Sequence, residues 1–248
     1  MFKERVTKIE LHKNGEGQEY CIEIDDKAAT RQAIINYINA HLDKDGAQKF
    51  VERSGWKAVQ PKNILDNDWN YNSIVIHHQG NSNWGFICGN AEEETRKVQE
   101  NEMVGRQNFD DIAYHYVVSC DGIVLEGRDI RFIGSHVNAN NSKKIGILLL
   151  GDYSERGEMK FEKLSELNSY LFDQIDIFYS LSIPTQQGYA CIPLIDALLS
   201  VFNIEQLGGH REFSLPGDKR TCPGNIGMQF VNYLRERFNL KSPKENNL

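Results

Sequence analysis

The segment Ile145-Gly146-Ile147-Leu148-Leu149-Leu150 constrains this chain more than any other. It carries no polar side chain, so a strand formed from it must be covered on both faces, as an interior strand of a layered α/β sheet is. A second apolar run, Ser73-Ile74-Val75-Ile76, reads as another buried strand, and it delivers His77-His78 at its C-terminal end, where α/β folds usually place ligands. The predicted architecture is α/β, a mixed central sheet flanked by helices.

The remaining elements fall around these two strands. Arg5–His12 and Glu19–Ile24 read as strands joined by a hairpin turn at Lys13-Asn14-Gly15-Glu16-Gly17. Thr30–Leu42 places Ala33, Ile34, Tyr37, Ile38 and Leu42 at helical spacing, with Thr30 as the expected cap. Together they make a small N-terminal ββα extension, residues 1–53, that carries no evident chemistry. A larger domain is expected over 54–240, followed by a Lys-, Asn- and Pro-rich tail, 241–248, that reads as disordered. Within the larger domain, Ala91–Arg106 reads as an exposed helix, and Ala113–Ser119 with Ile123–Glu126 as a hairpin closed by an Asp-Gly turn. Phe161–Tyr179, Pro193–Phe202 and Ile226–Phe238 read as three further helices, the first with an amphipathic stripe.

Composition narrows the function. A net charge of −7 argues against nucleic-acid binding through bulk charge, and 40% hydrophobic with 25% charged residues excludes a disordered chain, a collagen or a coiled-coil rod. No stretch approaches the roughly 20 apolar residues needed to cross a bilayer, so no membrane insertion is expected. Met1–Glu10 lacks an apolar signal core, which predicts synthesis in the cytoplasm without a signal peptide and action elsewhere only after non-classical export or lysis. The five cysteines, Cys21, Cys88, Cys120, Cys191 and Cys222, are odd in number, widely spaced and free of C-x-x-C pairs. A disulfide scaffold is not expected, and at least one thiol lacks an intramolecular partner.

The chemistry concentrates in histidine and cysteine. His12 and His41 sit in the extension and read as surface residues. His77-His78 ends a strand, His115 lies inside one, His136 follows Gly134-Ser135, and His210 follows Gly208-Gly209, with Cys222-Pro223-Gly224 shortly after. Two imidazoles and one thiolate suit Zn²⁺, and three protein ligands leave the fourth tetrahedral position to water, which makes such a site catalytic rather than structural. Adjacent strand residues face opposite ways, so His77 and His78 do not both address one metal. The residues alone also fit a blander reading, with each imidazole satisfied by a carbonyl and Cys222 an inert buried thiol.

Further segments occur in a familiar order. They are Ser54-Gly55-Trp56-Lys57-Ala58-Val59-Gln60-Pro61, then Ile74-Val75-Ile76-His77-His78, then Asp111-Ile112-Ala113-Tyr114-His115-Tyr116-Val117-Val118 running to Asp121-Gly122. Glu126-Gly127-Arg128-Asp129, Gly134-Ser135-His136, Asn141 to Ile147, and Gly209-His210-Arg211-Glu212 through Cys222-Pro223-Gly224 follow. Over about residues 54–238 the chain resembles the zinc-dependent type-2 N-acetylmuramoyl-L-alanine amidases, the group that includes peptidoglycan recognition proteins and small phage amidases.

The resemblance implies one zinc per chain on His77, His210 and Cys222, and a catalytic role for Tyr114 in hydrogen-bonding the water or the tetrahedral intermediate. It places His136 and Asn141 along the substrate groove, which Arg128 helps to shape. Two residues before the metal cysteine the family carries a lysine or threonine that stabilises the oxyanion. Here that residue is Arg220, a larger planar fork on a longer loop, so Lys219, Arg220 and Thr221 all stay open for the role. The implied reaction is hydrolysis of the amide between N-acetylmuramic acid and L-alanine, with peptidoglycan or muropeptide as partner. The alternatives are a non-catalytic muropeptide recognition module and a hydrolase of another amide. Three settings fit: an endolysin linked to a holin, a delivered effector with an immunity protein, or a recycling enzyme.

Overall fold

The computed structural model describes residues 8–13, 19–24, 26–42, 49–80, 89–155, 158, 182–215, 217–218 and 220–243. The expected hairpin turn at 14–17, the helix Phe161–Tyr179 and Lys219 lie outside these residues. In order come β1 (Lys8–Lys13), β2 (Glu19–Ile24), α1 (Asp26–His41), β3 (Phe50–Val51), β4 (Ser73–His78), α2 (Ala91–Val104), β5 (Tyr116–Val118) and β6 (Val124–Glu126). Then follow β7 (Lys144–Leu149), α3 (Thr185–Val201), β8 (Gln206–Gly209), α4 (His210–Phe213) and α5 (Gly224–Phe238).

β1 and β2 form an antiparallel pair, and the other six strands form one mixed sheet in the order β3-β6-β5-β7-β4-β8. Only β5 and β6 run antiparallel within it, joined through the expected Asp121-Gly122 turn, where Gly122 adopts φ 86°. The apolar β7 is interior, between β5 and β4. Ile76 sits opposite Gly209 of β8 and opposite Ile147 of β7. β4 and β8 therefore end nearly level, which brings the next residues, His77 and His210, side by side.

The pleat sends alternate side chains to opposite faces. Ile74 and Ile76 of β4, with Ile145, Ile147 and Leu149 of β7, are buried in one apolar layer with α1, α3 and α5. Each of those helices contributes an apolar stripe, Ile34, Ile35 and Ile38 from α1, Leu194 and Leu198 from α3, and Val231 and Leu234 from α5. α1 and Phe50 of the N-terminal extension thus share a core with the sheet. Arg31 of α1 reinforces this with a bidentate pair to Glu126, Nε to Oε1 at 2.6 Å and Nη2 to Oε2 at 2.5 Å. On the other face α2 covers only part of the sheet, with Ala91 and Val98 against Val117, Leu125 and Leu148. A small apolar group of Val75, Val137 and Phe213 lies further along. His77 shares the face of Val75, in the space between.

Several expected boundaries shift for identifiable reasons. α1 begins at Asp26, and Thr30 is interior: its hydroxyl donates back to the Asp26 carbonyl at 2.7 Å instead of capping. α2 is capped by Asn90, whose side chain accepts from Glu93 N, and one face of it is buried. α3 starts at Thr185, so Pro193 lies inside the helix instead of opening it. The strand expected over Ala113–Ser119 contracts to Tyr116–Val118: at one end Ala113 N is taken by the Glu102 carboxylate at 2.8 Å, and at the other Ser119 N closes the turn on the Ile123 carbonyl at 2.9 Å. Lys241 lies alongside β8, accepting from Leu207 N at 3.1 Å and donating to the Glu205 carbonyl at 3.0 Å, so the chain is anchored past the expected start of the tail. Cys120 is disulfide-bonded, whereas Cys191 and Cys222 are free thiols. No described helix is long and apolar enough to cross a membrane.

Candidate active site

β4 carries His77 to the partly covered face, with 1% of its surface exposed. His210 opens α4 directly after β8, and the Glu212 carboxylate accepts from Gly209 N at 2.9 Å, which fixes the strand-to-helix corner. Cys222 reaches the same spot from the other end of its loop. Arg211 N donates to the Cys222 carbonyl at 2.9 Å, and the Arg211 guanidinium bonds Glu158, the Thr221 carbonyl and Asn225. Glu158 also accepts from Asn225 N at the start of α5, 2.8 Å away. The loop from His210 to Cys222 is thus tied shut at its base.

One donor atom from each of His77, His210 and Cys222 lies within 4.8 Å of the other two, a grouping that could hold a metal ion. Cys222 Sγ is 3.7 Å from His77 Nδ1, and the His77 and His210 rings are 4.6 Å apart between centroids. Nε2 of His210 is buried with no hydrogen-bond partner among the described residues. Buried imidazole nitrogens are ordinarily satisfied, so this orphan marks a place for a missing partner.

The electrostatics agree with a cation. Burial, then the neighbouring His210, His136 and His78, holds the His77 imidazole well below the ordinary histidine range. Burial and the Arg220 charge bring His210 down to about 4. Both rings are therefore neutral and keep a lone pair at physiological pH. Burial pushes the Cys222 thiol up to about 12, so a bound divalent cation is what would draw its proton off. Two neutral imidazoles and a thiol match the donor preference of zinc.

Tyr114 stands beside this set, its ring 4.9 Å from that of His77. Burial, then the Glu102 carboxylate and Cys222, holds its hydroxyl well above the ordinary tyrosine value, so it stays a donor. Its backbone is fixed by Arg128 N, which donates to the Tyr114 carbonyl at 2.7 Å. His136 is also here, buried, with Nδ1 3.0 Å from His77 Nε2. His78 turns to the opposite face and accepts from Tyr153 N at 3.0 Å, so it stands apart from the donor group. His115 is likewise apart, its Nδ1 accepting from Gly146 N at 3.0 Å.

The other predicted site residues make contacts of their own. The Arg128 guanidinium is buried on the carbonyls of Ile112, Ile133 and Asp111 at 2.8, 2.7 and 3.0 Å. The side-chain oxygen Oδ1 of Asn141 accepts from Val137 N at 2.7 Å, bracing its own loop. Arg220 is exposed at the rim, its Nε on the Asp218 carboxylate at 3.0 and 3.1 Å. Thr221 is exposed as well. A residue not anticipated from the sequence is Glu102, which accepts from Ala113 N at 2.8 Å, next to Tyr114 in the chain. Burial raises its carboxyl to about 7. The only sequence signal for it was one acid among many on a charged helix.

A mixed sheet with helices on both faces and a His-His-Cys group at the level ends of two parallel strands defines a class, and the comparison with known families agrees. Residues 70–225 match the Amidase_2 family, N-acetylmuramoyl-L-alanine amidase, and the chain belongs to that family. Peptidoglycan-recognition protein SD of Drosophila melanogaster is 30% identical over 118 residues, covering 46% of this chain and 61% of that protein. Its crystal structure superimposes with a TM-score of 0.58 at 22% identity, over 77% of this chain and 96% of that one. The endolysin of Enterobacteria phage K11 is 37% identical over 71 residues, 27% of this chain and 47% of the endolysin. Peptidoglycan recognition protein LE, in complex with tracheal cytotoxin, a monomeric diaminopimelic acid-type peptidoglycan, shares the fold with a TM-score of 0.59 at 18% identity, over 79% of this chain and 98% of that chain. The chain thus spans less than two thirds of the length of either curated relative, and the family includes proteins named for recognition as well as for lysis.

Proposed function

We propose that this protein is a zinc-dependent N-acetylmuramoyl-L-alanine amidase that hydrolyses the amide joining N-acetylmuramic acid to the L-alanine of a peptidoglycan stem peptide. The observation that carries the proposal is the convergence of His77, His210 and Cys222, with one orphaned imidazole nitrogen, beside the protonated hydroxyl of Tyr114. When bound, zinc supplies a Lewis acid and lowers the pKa of a coordinated water to about 7.

The chain's own groups do the rest. The two neutral imidazoles and the thiol offer three ligands and leave one position open. The Tyr114 hydroxyl donates to the substrate carbonyl or to the oxygen that develops charge on it. Arg220 keeps its Nη groups free of the Asp218 pair and is the rim cation placed to meet that charge, with Lys219 and Thr221 as its rivals. Arg128 shapes the groove through the Asp111–Tyr114 backbone it anchors, and Asn141 through its loop. Water adds across the amide: its oxygen bonds to the lactyl carbonyl carbon, the C–N bond breaks, and a proton passes to the alanine nitrogen.

The test is a digest of purified peptidoglycan analysed by mass spectrometry, with metal analysis of the same preparation. Free stem peptides beginning at L-alanine, intact glycan strands and about one zinc per chain are expected. New reducing sugar ends or cleavage within the peptide would overturn the reaction. Muropeptide binding without cleavage would assign the protein to recognition instead. Release by lysis is the setting shared with the phage relative, and it is the one favoured here.

A further inference from the structure

The amidase reading uses one ring nitrogen of His77 and leaves the other unexplained. Nδ1 faces Cys222 Sγ at 3.7 Å, while Nε2 lies 3.0 Å from Nδ1 of His136. The second nitrogen of His136, Nε2, lies 3.3 Å from the backbone carbonyl oxygen of Lys144. A carbonyl oxygen only accepts, so this contact puts the proton of a neutral His136 on Nε2 and leaves Nδ1 with a lone pair. That lone pair needs a donor, and the donor is His77 Nε2–H. His77 then turns a bare Nδ1 toward Cys222.

We infer that His136 is a positioning residue that fixes the tautomer and ring orientation of His77, making Nδ1 the atom His77 presents to a metal. The inference rests on the zinc reading of the site. It also replaces the groove role that the sequence suggested for His136, which is only 5% exposed.

The surroundings hold the His136 ring in this orientation. A Cβ at Gly134 would lie 2.5 Å from His136 Cδ2, and one at Gly146 would lie 2.6 Å from the same atom. Two backbone positions stripped of side chains therefore form the slot in which the imidazole lies. One wall of the slot is itself fastened, because Gly146 N donates to His115 Nδ1 at 3.0 Å, and the opposite nitrogen of His115 meets the Phe132 carbonyl at 3.0 Å. A residue that merely filled space would not need a donor and an acceptor at its two ends in matching order. Removing such a partner of a metal-ligating histidine costs about 10–100-fold in metal affinity.

The experiment compares wild type with His136→Asn and His136→Phe. Asparagine keeps an acceptor oxygen near the place of Nδ1; phenylalanine keeps the ring and offers none. Ring ¹⁵N spectra of the metal-free wild type are expected to show His77 protonated at Nε2 and bare at Nδ1, and ¹¹³Cd loading is expected to couple the metal to Nδ1. His136→Phe is expected to weaken zinc binding by about 10–100-fold in chelator competition, with mixed His77 tautomers, and His136→Asn to recover most of that loss. A His77 proton on Nδ1 in the metal-free wild type, or zinc held as tightly by His136→Phe as by wild type, overturns the inference. If His136→Phe does not fold, the wild-type tautomer and the His136→Asn affinity decide. A wild type that binds no zinc refutes the metal reading, while the metal-free spectrum still decides the role of His136.

Discussion

On β4 the residues Ile74 and Ile76 enter a layer closed by three helices, while Val75 and His77, one step away along the same strand, enter a layer that α2 covers only in part. β7 repeats the contrast, with Ile145, Ile147 and Leu149 on the first face and the bare Gly146 beside His136 on the second. His77, His136 and His210 gather on this second side, and each of the buried His77, His115 and His136 has named partners. The first face is held by area removed from water, to which any well-fitting apolar side chain contributes. The second has an apolar cluster of its own under α2, but around His77 and His136 it is held by directional bonds, each of which fixes a particular atom. Stability and chemistry are therefore written on alternate residues of the same strands, and substitutions should separate them.

The sharpest separation comes from the loop. Cys222→Ala should abolish stoichiometric zinc and wall hydrolysis together while leaving a cooperative unfolding transition. A Cys222→Ala protein with full zinc and activity would end the assignment. Ile147→Ala, on the covered face, should instead cost about 2–5 kcal/mol of unfolding free energy, read by denaturant melts, with zinc content unchanged. Loss of zinc from a folded Ile147→Ala protein would erase the contrast between faces. Tyr114→Phe should lower kcat by about 10²–10³ with zinc and unfolding midpoint both retained, and an unchanged kcat would return Tyr114 to packing.

pH offers a subtler probe. His115 titrates near 4 in the fold, against an ordinary value of 6.5, because burial disfavours its charged form. As pH falls through 6.5 the unfolded chain takes up the proton first, so between about 6.5 and 4 the unfolded state binds more protons and stability drops. Each such histidine contributes a slope of about 1.4 kcal/mol per pH unit in this window. Metal-free His115→Gln should show a slope smaller by that amount, whereas Ile147→Ala should keep the wild-type slope. Equal slopes in wild type and His115→Gln would contradict the assignment. The smallest effect is expected at α2: Asn90→Ala removes its cap and should cost about 1 kcal/mol, with zinc affinity untouched, as titration against a chelator would show.

The same contrast explains what the sequence made legible. Apolar runs announce strands, and β4 and β7 fall where the runs do, while β2 falls on the hairpin strand expected at Glu19–Ile24. Glycine-flanked histidines and a Cys-Pro-Gly turn announce a candidate ligand set, and the register of β4 against β8 explains why His77 and His210, so far apart in the chain, converge. What stayed hidden were bonds from side chain to backbone, which have no period. The three carbonyls that hold the Arg128 guanidinium are of this kind, and so is the Glu102 carboxylate that takes Ala113 N ahead of β5. The contact of His136 with the Lys144 carbonyl is of the same kind, and its contact with His77 has no period either. Thr30 has the composition of a cap but lies four residues inside its helix, because Asp26 begins the turn. Local composition reveals none of these contacts; only the path of the chain does.

The two rims of the six-stranded sheet carry one more consequence. β3 is only two residues long, and the far side of β8 is met by Lys241, with Pro243 buried against Gly208. A long bare strand rim is a template on which a second chain can add its own backbone. Here one described rim is too short to template and the other is already occupied by a lysine and a proline from the same chain. Crowding copies together therefore gives these rims no ladder to extend, and the sheet is guarded against growing into a fibre by the shortness of its first strand and the return of the segment at Lys241–Pro243.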